Sequence, residues 1–329
     1  MPPRARLRGC PGRVAMKRQG FLTWFAPVWM VLGSIISVQF GAAIAKSVFD
    51  NVDPTAVAWL RMVFSALVFV AIARPRLRGR TRRQWVVMLA YGVCMAMLSW
   101  ALYQSFSRIP LGLAVTIEFL GPLGVAVATS RRLRDVLWAL LAAAGVVLLG
   151  GVQQSLDLVG IGFALLAGAS WAGYILLSGP VARDWSGLTG ATAGSVIGAL
   201  GWAVPGVVAG GAVLLEPWVL LVGLVVGILS SAIPTGLELM ARRRMAPGIF
   251  SVLMSLHPAF AALSALLLLG ERLTPVEIVA MVCVVLASIG ATGSMGRPPS
   301  DPPSDTPSEP PSDRASGQGP ARLGEARVA

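Results

Sequence analysis

Ten apolar runs divide the chain: Phe25–Ala45, Thr55–Ala73, Trp85–Ser105, Leu111–Ser130, Val136–Val152, Val159–Leu177, Thr189–Gly210, Pro217–Ala241, Gly248–Leu269 and Pro275–Gly293. At about 1.5 Å rise per residue most of them cover the roughly 30 Å of a bilayer's hydrocarbon. Val136–Val152, with 17 residues, sits at the lower limit. The runs mix Gly, Ala, Leu and Val without a period of two, which predicts helices and not a β-barrel. Small residues four apart, Gly194/Gly198 and Gly223/Gly227, would let helix backbones approach closely. The pattern therefore predicts an all-α membrane protein with ten transmembrane helices.

Composition agrees with that reading and removes its competitors. Of 329 residues, 55% are hydrophobic and only 13% charged, with a mean hydropathy of +0.73. A water-soluble domain averages about 25% charged, so a soluble enzyme, a disordered chain and a disulfide-stapled domain are excluded. Three cysteines, Cys10, Cys94 and Cys283, show neither metal spacing nor a disulfide framework. One histidine and few acids offer no metal set, and no cofactor is implied. The net charge of +12 would suggest nucleic acid if it were concentrated on one soluble face. Here the basic residues cluster between apolar runs, so no nucleic-acid partner is expected.

Those clusters set an orientation. With the N-terminus in the cytoplasm, the inner segments hold 23 Lys and Arg, including Arg74–Arg83 and Arg242–Arg244, and the outer loops only Arg108 and Arg272. Positive residues favour the inner side, so both termini are predicted to be cytoplasmic. Ala43-Ile44-Ala45 resembles a signal-peptidase site, but the run before it exceeds a typical signal core and nine more follow. Met16-Lys17-Arg18 reads as a plausible true start. From Gly296 on, PPSDPPSDTPSEPPSD has no apolar run and is predicted to stay unfolded. The expected organisation is a basic segment at 1–20, five helices in 21–152, five in 153–295, and a tail at 296–329.

Charge inside hydrocarbon costs about 2.5–3.5 kcal/mol per group, so the few polar residues within the runs carry the functional signal. Glu118 lies in the fourth run, four residues before Pro122. Proline has no N–H, so the carbonyl of residue 118 is left as a free acceptor beside an ionisable group. His257-Pro258 in the ninth run repeats this device, with an imidazole that ordinarily titrates near neutrality. Arg61 either snorkels to headgroups or lines a polar cavity with an acid; Lys46 is an interfacial anchor or a ligand. Glu238 stands beside Arg242–Arg244 and is expected in a salt bridge. Gln39, Tyr103, Gln104, Trp171 and Tyr174 could line a substrate path or serve packing.

Runs four and nine are each the fourth of five, and both place a polar residue near a proline. Halves with an odd number of helices insert in opposite orientations. Two such halves form an inverted repeat with a site at their interface.

Four stretches carry a resemblance: QFGAAIAKSVFDNVDPTAVAWLRM (39–62), SRIPLGLAVTIEFLGPLGVAVATSRR (107–132), GASWAGYILLSG (168–179) and SVLMSLHPAFAALSALLLLGERLT (251–274). In this order the chain resembles EamA-type carriers of the drug/metabolite transporter superfamily, and within them bacterial threonine and homoserine exporters. The resemblance implies ten helices with cytoplasmic termini in the bacterial inner membrane, and export of small amino acids by proton exchange. For such a carrier the polar and aromatic residues within the spans, Gln39, Lys46, Arg61, Tyr103, Glu118, Trp171 and Tyr174, are the candidate substrate-binding set. Proton coupling falls to Glu118 and His257, and helix breaks to Pro122 and Pro258. The partners are then a small molecule, protons and the lipid bilayer, with a second copy of the chain allowed. In this group a glutamate typically precedes the proline of span nine, as in SLEP; here the sequence is SLHP.

Export of other metabolites or drugs is the nearest alternative. An intramembrane enzyme is disfavoured, because Ser170 and His257 lie in no G-x-S-x-G or H-E-x-x-H pattern. A non-transporting scaffold would not need ionisable groups in two corresponding spans.

Overall fold

In the computed structural model, every regular element among the described residues is helical. Those residues are 16–73, 79–129, 137–138, 140–142, 144–145, 157–185 and 188–295. Residues 1–15, most of the run Val136–Val152 and the predicted tail from 296 lie outside them. The helices are α1 (Met16–Lys46), α2 (Pro54–Ala73), α3 (Arg82–Phe106), α4 (Leu111–Glu118), α5 (Leu120–Thr129), α6 (Leu158–Asp184) and α7 (Thr189–Gly201). They continue as α8 (Ala203–Gly210), α9 (Pro217–Gly227), α10 (Ile233–Arg242), α11 (Pro247–Met254), α12 (His257–Leu269) and α13 (Pro275–Met295).

Seven helical stretches among the described residues are long and apolar enough to cross a membrane. Thr189–Gly201 with Ala203–Leu215 makes an eighth if the pair, bent by 52°, is one span, and Pro275–Gly290 is a shorter apolar helix. Their outer faces carry Ile72, Leu158, Val204, Val208 and Leu215, all more than half exposed. Such faces would be unfavourable in water but are matched by lipid tails as apolar as leucine. Polar caps lie at helix ends: Thr81 and Gln84 form a reciprocal box at the start of α3, and Asp157 accepts from Val159 and Gly160 at the start of α6.

Four predicted runs are not single straight helices, and one piece of chemistry accounts for all four. A proline leaves the carbonyl four residues earlier without its N–H. Accordingly α4 ends at Glu118, four before Pro122; α7 at Gly201, four before Pro205; and α11 at Met254, four before Pro258. Between α9 and α10 the chain passes through a wider π turn at Ile228–Ala232 that contains Ser230, four before Pro234. Pro27 and Pro180 lie inside α1 and α6 without interrupting them.

Close packing at the centre relies on missing side chains. A Cβ at Gly168 of α6 would stand 2.7 Å from the carbonyl oxygen of Glu118, and one at Gly112 of α4 would stand 3.0 Å from Cα of Ala262 on α12. Helix α1 uses two stripes: Ser34, Ser37 and Gly41 face the α9–α10 segment, whereas Gln39 and Lys46 reach α12 and the turn after it.

Candidate functional site

The breaks bring polar groups together inside the bundle. Pro234 has no N–H to offer the carbonyl of Ser230, and side chains donate to two carbonyls of the π turn. Ser37 Oγ donates to Leu229 O at 2.7 Å, and Arg61 Nη2 donates to Ser230 O at 3.5 Å. The Arg61 guanidinium also donates to Ser99 Oγ at 3.3 Å and lies 5.7 Å from the centre of the Tyr103 ring. Among the described residues, no carboxylate lies within ion-pair distance of Arg61. Glu118 is buried and makes no side-chain hydrogen bond or ion pair among those residues. The buried hydroxyls of Tyr103 and Ser230 face one another beside Arg61. A cavity of 40 Å³ lined by Arg61, Ser65, Ser99, Ser195 and Ser231 holds little more than one water.

A second polar pair lies on the α12 side. Gln39 Nε2 stands 2.9 Å from His257 Nδ1, both residues being buried. His257 Nε2 has no partner among the described residues. The imidazole lies 5.7 Å from the Phe119 ring, which meets Trp171 edge-on at 5.0 Å. Phe119 is the residue at the α4–α5 break, so the Glu118 and His257 surroundings adjoin through it.

Other expected residues are placed elsewhere. Lys46 Nζ forms an ion pair with Glu271 Oε1 at 2.6 Å and donates to Ile109 O at 2.8 Å. Glu271 Oε2 accepts from the Leu111 backbone N–H at 3.0 Å, so α1, α4 and the turn after α12 are clasped at one end. Tyr174 stacks on Tyr91 at 4.9 Å, in a cluster with Met88 and Trp185. Gln104 donates to Thr55 Oγ1 and accepts from Arg108. Glu238 pairs with Arg242 at 3.3 Å, as its neighbours suggested, and also accepts from Ser34. A groove of 410 Å³ between α5 and α6 is lined by apolar residues such as Leu120, Ala128, Leu165 and Leu176, with Thr129 at its edge. It contains none of the expected site residues.

Sequence reasoning missed Ser99, Ser230 and Pro234. The signal existed in ILSSAIPTG, where a proline follows a serine by four inside an apolar run, as Pro122 follows Glu118. It missed Glu271 as the partner of Lys46, because 225 residues of chain separate the two.

Residues 158–293 match the EamA-like transporter family. The threonine/homoserine exporter RhtA of Escherichia coli (strain K12) is 39% identical over 273 residues, covering 81% of this chain and 92% of the relative. The chain belongs to the EamA-like transporter family. RhtA of Salmonella typhimurium (strain SL1344), also a threonine/homoserine exporter, is 38% identical over 280 residues, covering 83% of this chain and 95% of the relative. A crystal structure at 19% identity superposes on this EamA-like chain with a TM-score of 0.57, covering 82% of it and 96% of the other. That likeness bears on the fold alone. As a transporter in a family of transporters, the protein is not an enzyme.

Proposed function

We propose that this chain exports small amino acids, threonine- or homoserine-like, from the bacterial cytoplasm across the inner membrane in exchange for protons. The observation that carries the reading is the presence of Arg61 and Glu118, a base and an acid inside one bundle, neither held in an ion pair among the described residues. An unneutralised guanidinium suits a substrate carboxylate, and a free carboxylate suits a substrate ammonium. A zwitterion satisfies both, whereas a purely cationic drug leaves Arg61 without a partner. Tyr103 and Ser230 add hydroxyls beside the guanidinium, and Gln39 and Trp171 line the neighbouring wall. Tyr174 stands at the far end of the same helix face as Trp171. Lys46 becomes available to a carboxylate only when its pair with Glu271 opens, and that clasp closes one end of the path.

Glu118 and His257 are the ionisable groups proposed for proton coupling. The proposed architecture is ten spans in two inverted five-helix repeats, 21–152 and 153–295. The matching interruptions four residues before Pro122 and Pro258 support it, as does the contact of α4 with α12. Both termini are placed in the cytoplasm by the 23-to-2 distribution of Lys and Arg. A homodimer is compatible with this reading and not required by it.

Counterflow in proteoliposomes tests the proposal, with threonine, homoserine, other amino acids and cationic drugs under an imposed pH gradient. The expected result is accumulation of the hydroxy amino acids that collapses when the gradient is removed. Glu118→Gln should lose most of that transport while expressing normally. Threonine and homoserine transport at wild-type rates by a folded Glu118→Gln would overturn the assignment.

A further inference from the structure

Arg61 and Glu118 account for the two charges of an amino acid but not for its side chain. A buried polar atom beside Phe119, the chain neighbour of Glu118, is still unused. His257 Nε2 is shut off from solvent and has no partner among the described residues, while Nδ1 is held by Gln39 at 2.9 Å. With the Gln39 amide nitrogen donating, Nδ1 of the neutral ring is the acceptor and the proton sits on Nε2. A buried N–H without an acceptor is unfavourable by roughly the free energy of a lost hydrogen bond. A ligand that supplies an acceptor there gains what the empty site forgoes.

The surroundings narrow the chemistry of that ligand group. Phe119 flanks the imidazole at 5.7 Å and Trp171 closes on Phe119 at 5.0 Å, so the wall is apolar and aromatic. A charged group would be poorly solvated against such rings, and a purely apolar one would leave Nε2–H unpaired. A neutral hydroxyl on a short alkyl chain meets both demands. Because a hydroxyl both donates and accepts, it pairs with Nε2 in either imidazole tautomer.

We infer that the Gln39–His257 pair reads the side-chain hydroxyl of the substrate, which makes His257 a specificity-determining residue and Gln39 the residue that positions it. The inference rests on the zwitterion reading of Arg61 and Glu118. It is compatible with proton coupling, because the two duties use different nitrogens. An added proton goes to Nδ1, toward which Gln39 can rotate its amide oxygen, while Nε2–H continues to face the substrate.

Removing the hydroxyl from threonine or from homoserine gives the same molecule, 2-aminobutyrate, so one probe tests both substrates. The quantity read in each variant is the ratio of kcat/KM for threonine or homoserine to that for 2-aminobutyrate in proteoliposome counterflow. The wild-type ratio is expected to be about ten- to a hundredfold, from one buried hydrogen bond made or left unmade. In His257→Phe it should fall to within a fewfold of one. In His257→Gln, whose amide reaches the place of Nε2, most of the ratio should return. If His257→Phe fails to reach the membrane, Gln39→Leu is read instead and should lower the ratio severalfold. A wild type that handles the three molecules alike would overturn the inference, as would a His257→Phe or Gln39→Leu variant that keeps the full ratio. Failure to move any of the three would instead sink the underlying zwitterion reading.

Discussion

Removing the Lys46–Glu271 clasp should open one end of the protein. Both side chains are partly exposed, at 17% and 23%, so the ion pair alone contributes about 0.2–1 kcal/mol after solvent screening. The clasp also includes Lys46 Nζ to Ile109 O at 2.8 Å and Leu111 N–H to Glu271 Oε2 at 3.0 Å. With these charge-assisted bonds the closed end gains roughly 1.5–3 kcal/mol in total, or about ten- to a hundredfold in the closed-to-open ratio. The assay is labelling of Ala114→Cys by a membrane-impermeant maleimide, after the native cysteines are replaced by alanine. Ala114 is buried, one turn from Glu118 on the same face of α4 and toward the clasp. Lys46→Met, which loses the charge and the bond to Ile109, should label at least tenfold faster. Glu271→Gln keeps an acceptor for Leu111 and should label a fewfold faster. The exchange Lys46→Glu with Glu271→Lys restores only the ion pair, so its rate should fall between wild type and Lys46→Met. Wild-type labelling rates in both single variants would refute the reasoning, because the clasp would then not hold this end shut.

Further consequences follow from the site. Arg61→Met should reduce threonine counterflow by more than tenfold, and Arg61→Lys should recover little of it, since one ammonium cannot serve Ser99, Ser230 O and a carboxylate in a planar fork; uptake assays on purified variants decide this. Pro234→Ala restores an N–H for Ser230 O and should draw the π turn back toward regular helix. The expected result is a severalfold rise in substrate KM with unimpaired thermal stability. Gly168→Ala would place a methyl 2.7 Å from Glu118 O and 3.3 Å from Gly121 N. That overpacking should destabilise the bundle by about 1–3 kcal/mol, visible as a lower unfolding midpoint in detergent, whereas Gly162→Ala, with open space around its Cβ, should not.

What the sequence determined by itself was whatever depends on local chemistry. Runs of about twenty apolar residues have nowhere stable to go except a bilayer, and inside it the backbone must bond to itself, so membrane-embedded helices followed from composition and period alone. The candidacy of Glu118 and His257 came from the same kind of reasoning: ionisable groups beside prolines are tolerated in hydrocarbon only where something compensates them. The rule that places helix ends four residues before Pro122, Pro205 and Pro258 is also local, and could have been applied to Pro205 and Pro234 as readily as to Pro122. Partnership was not legible. Lys46 bonds Glu271, Gln39 bonds His257 and Arg61 reaches Ser230 across 225, 218 and 169 positions of chain. In a chain so rich in Gly, Ala, Leu and Val, many helix faces look alike, so only the packed bundle selects which stripes meet. That selection turned Lys46 from a free cation into half of a clasp and left Arg61 without an acid. It rests on the glycines at 112, 121 and 168, whose missing Cβ atoms let α4 press against α12 and the α4–α5 break press against α6.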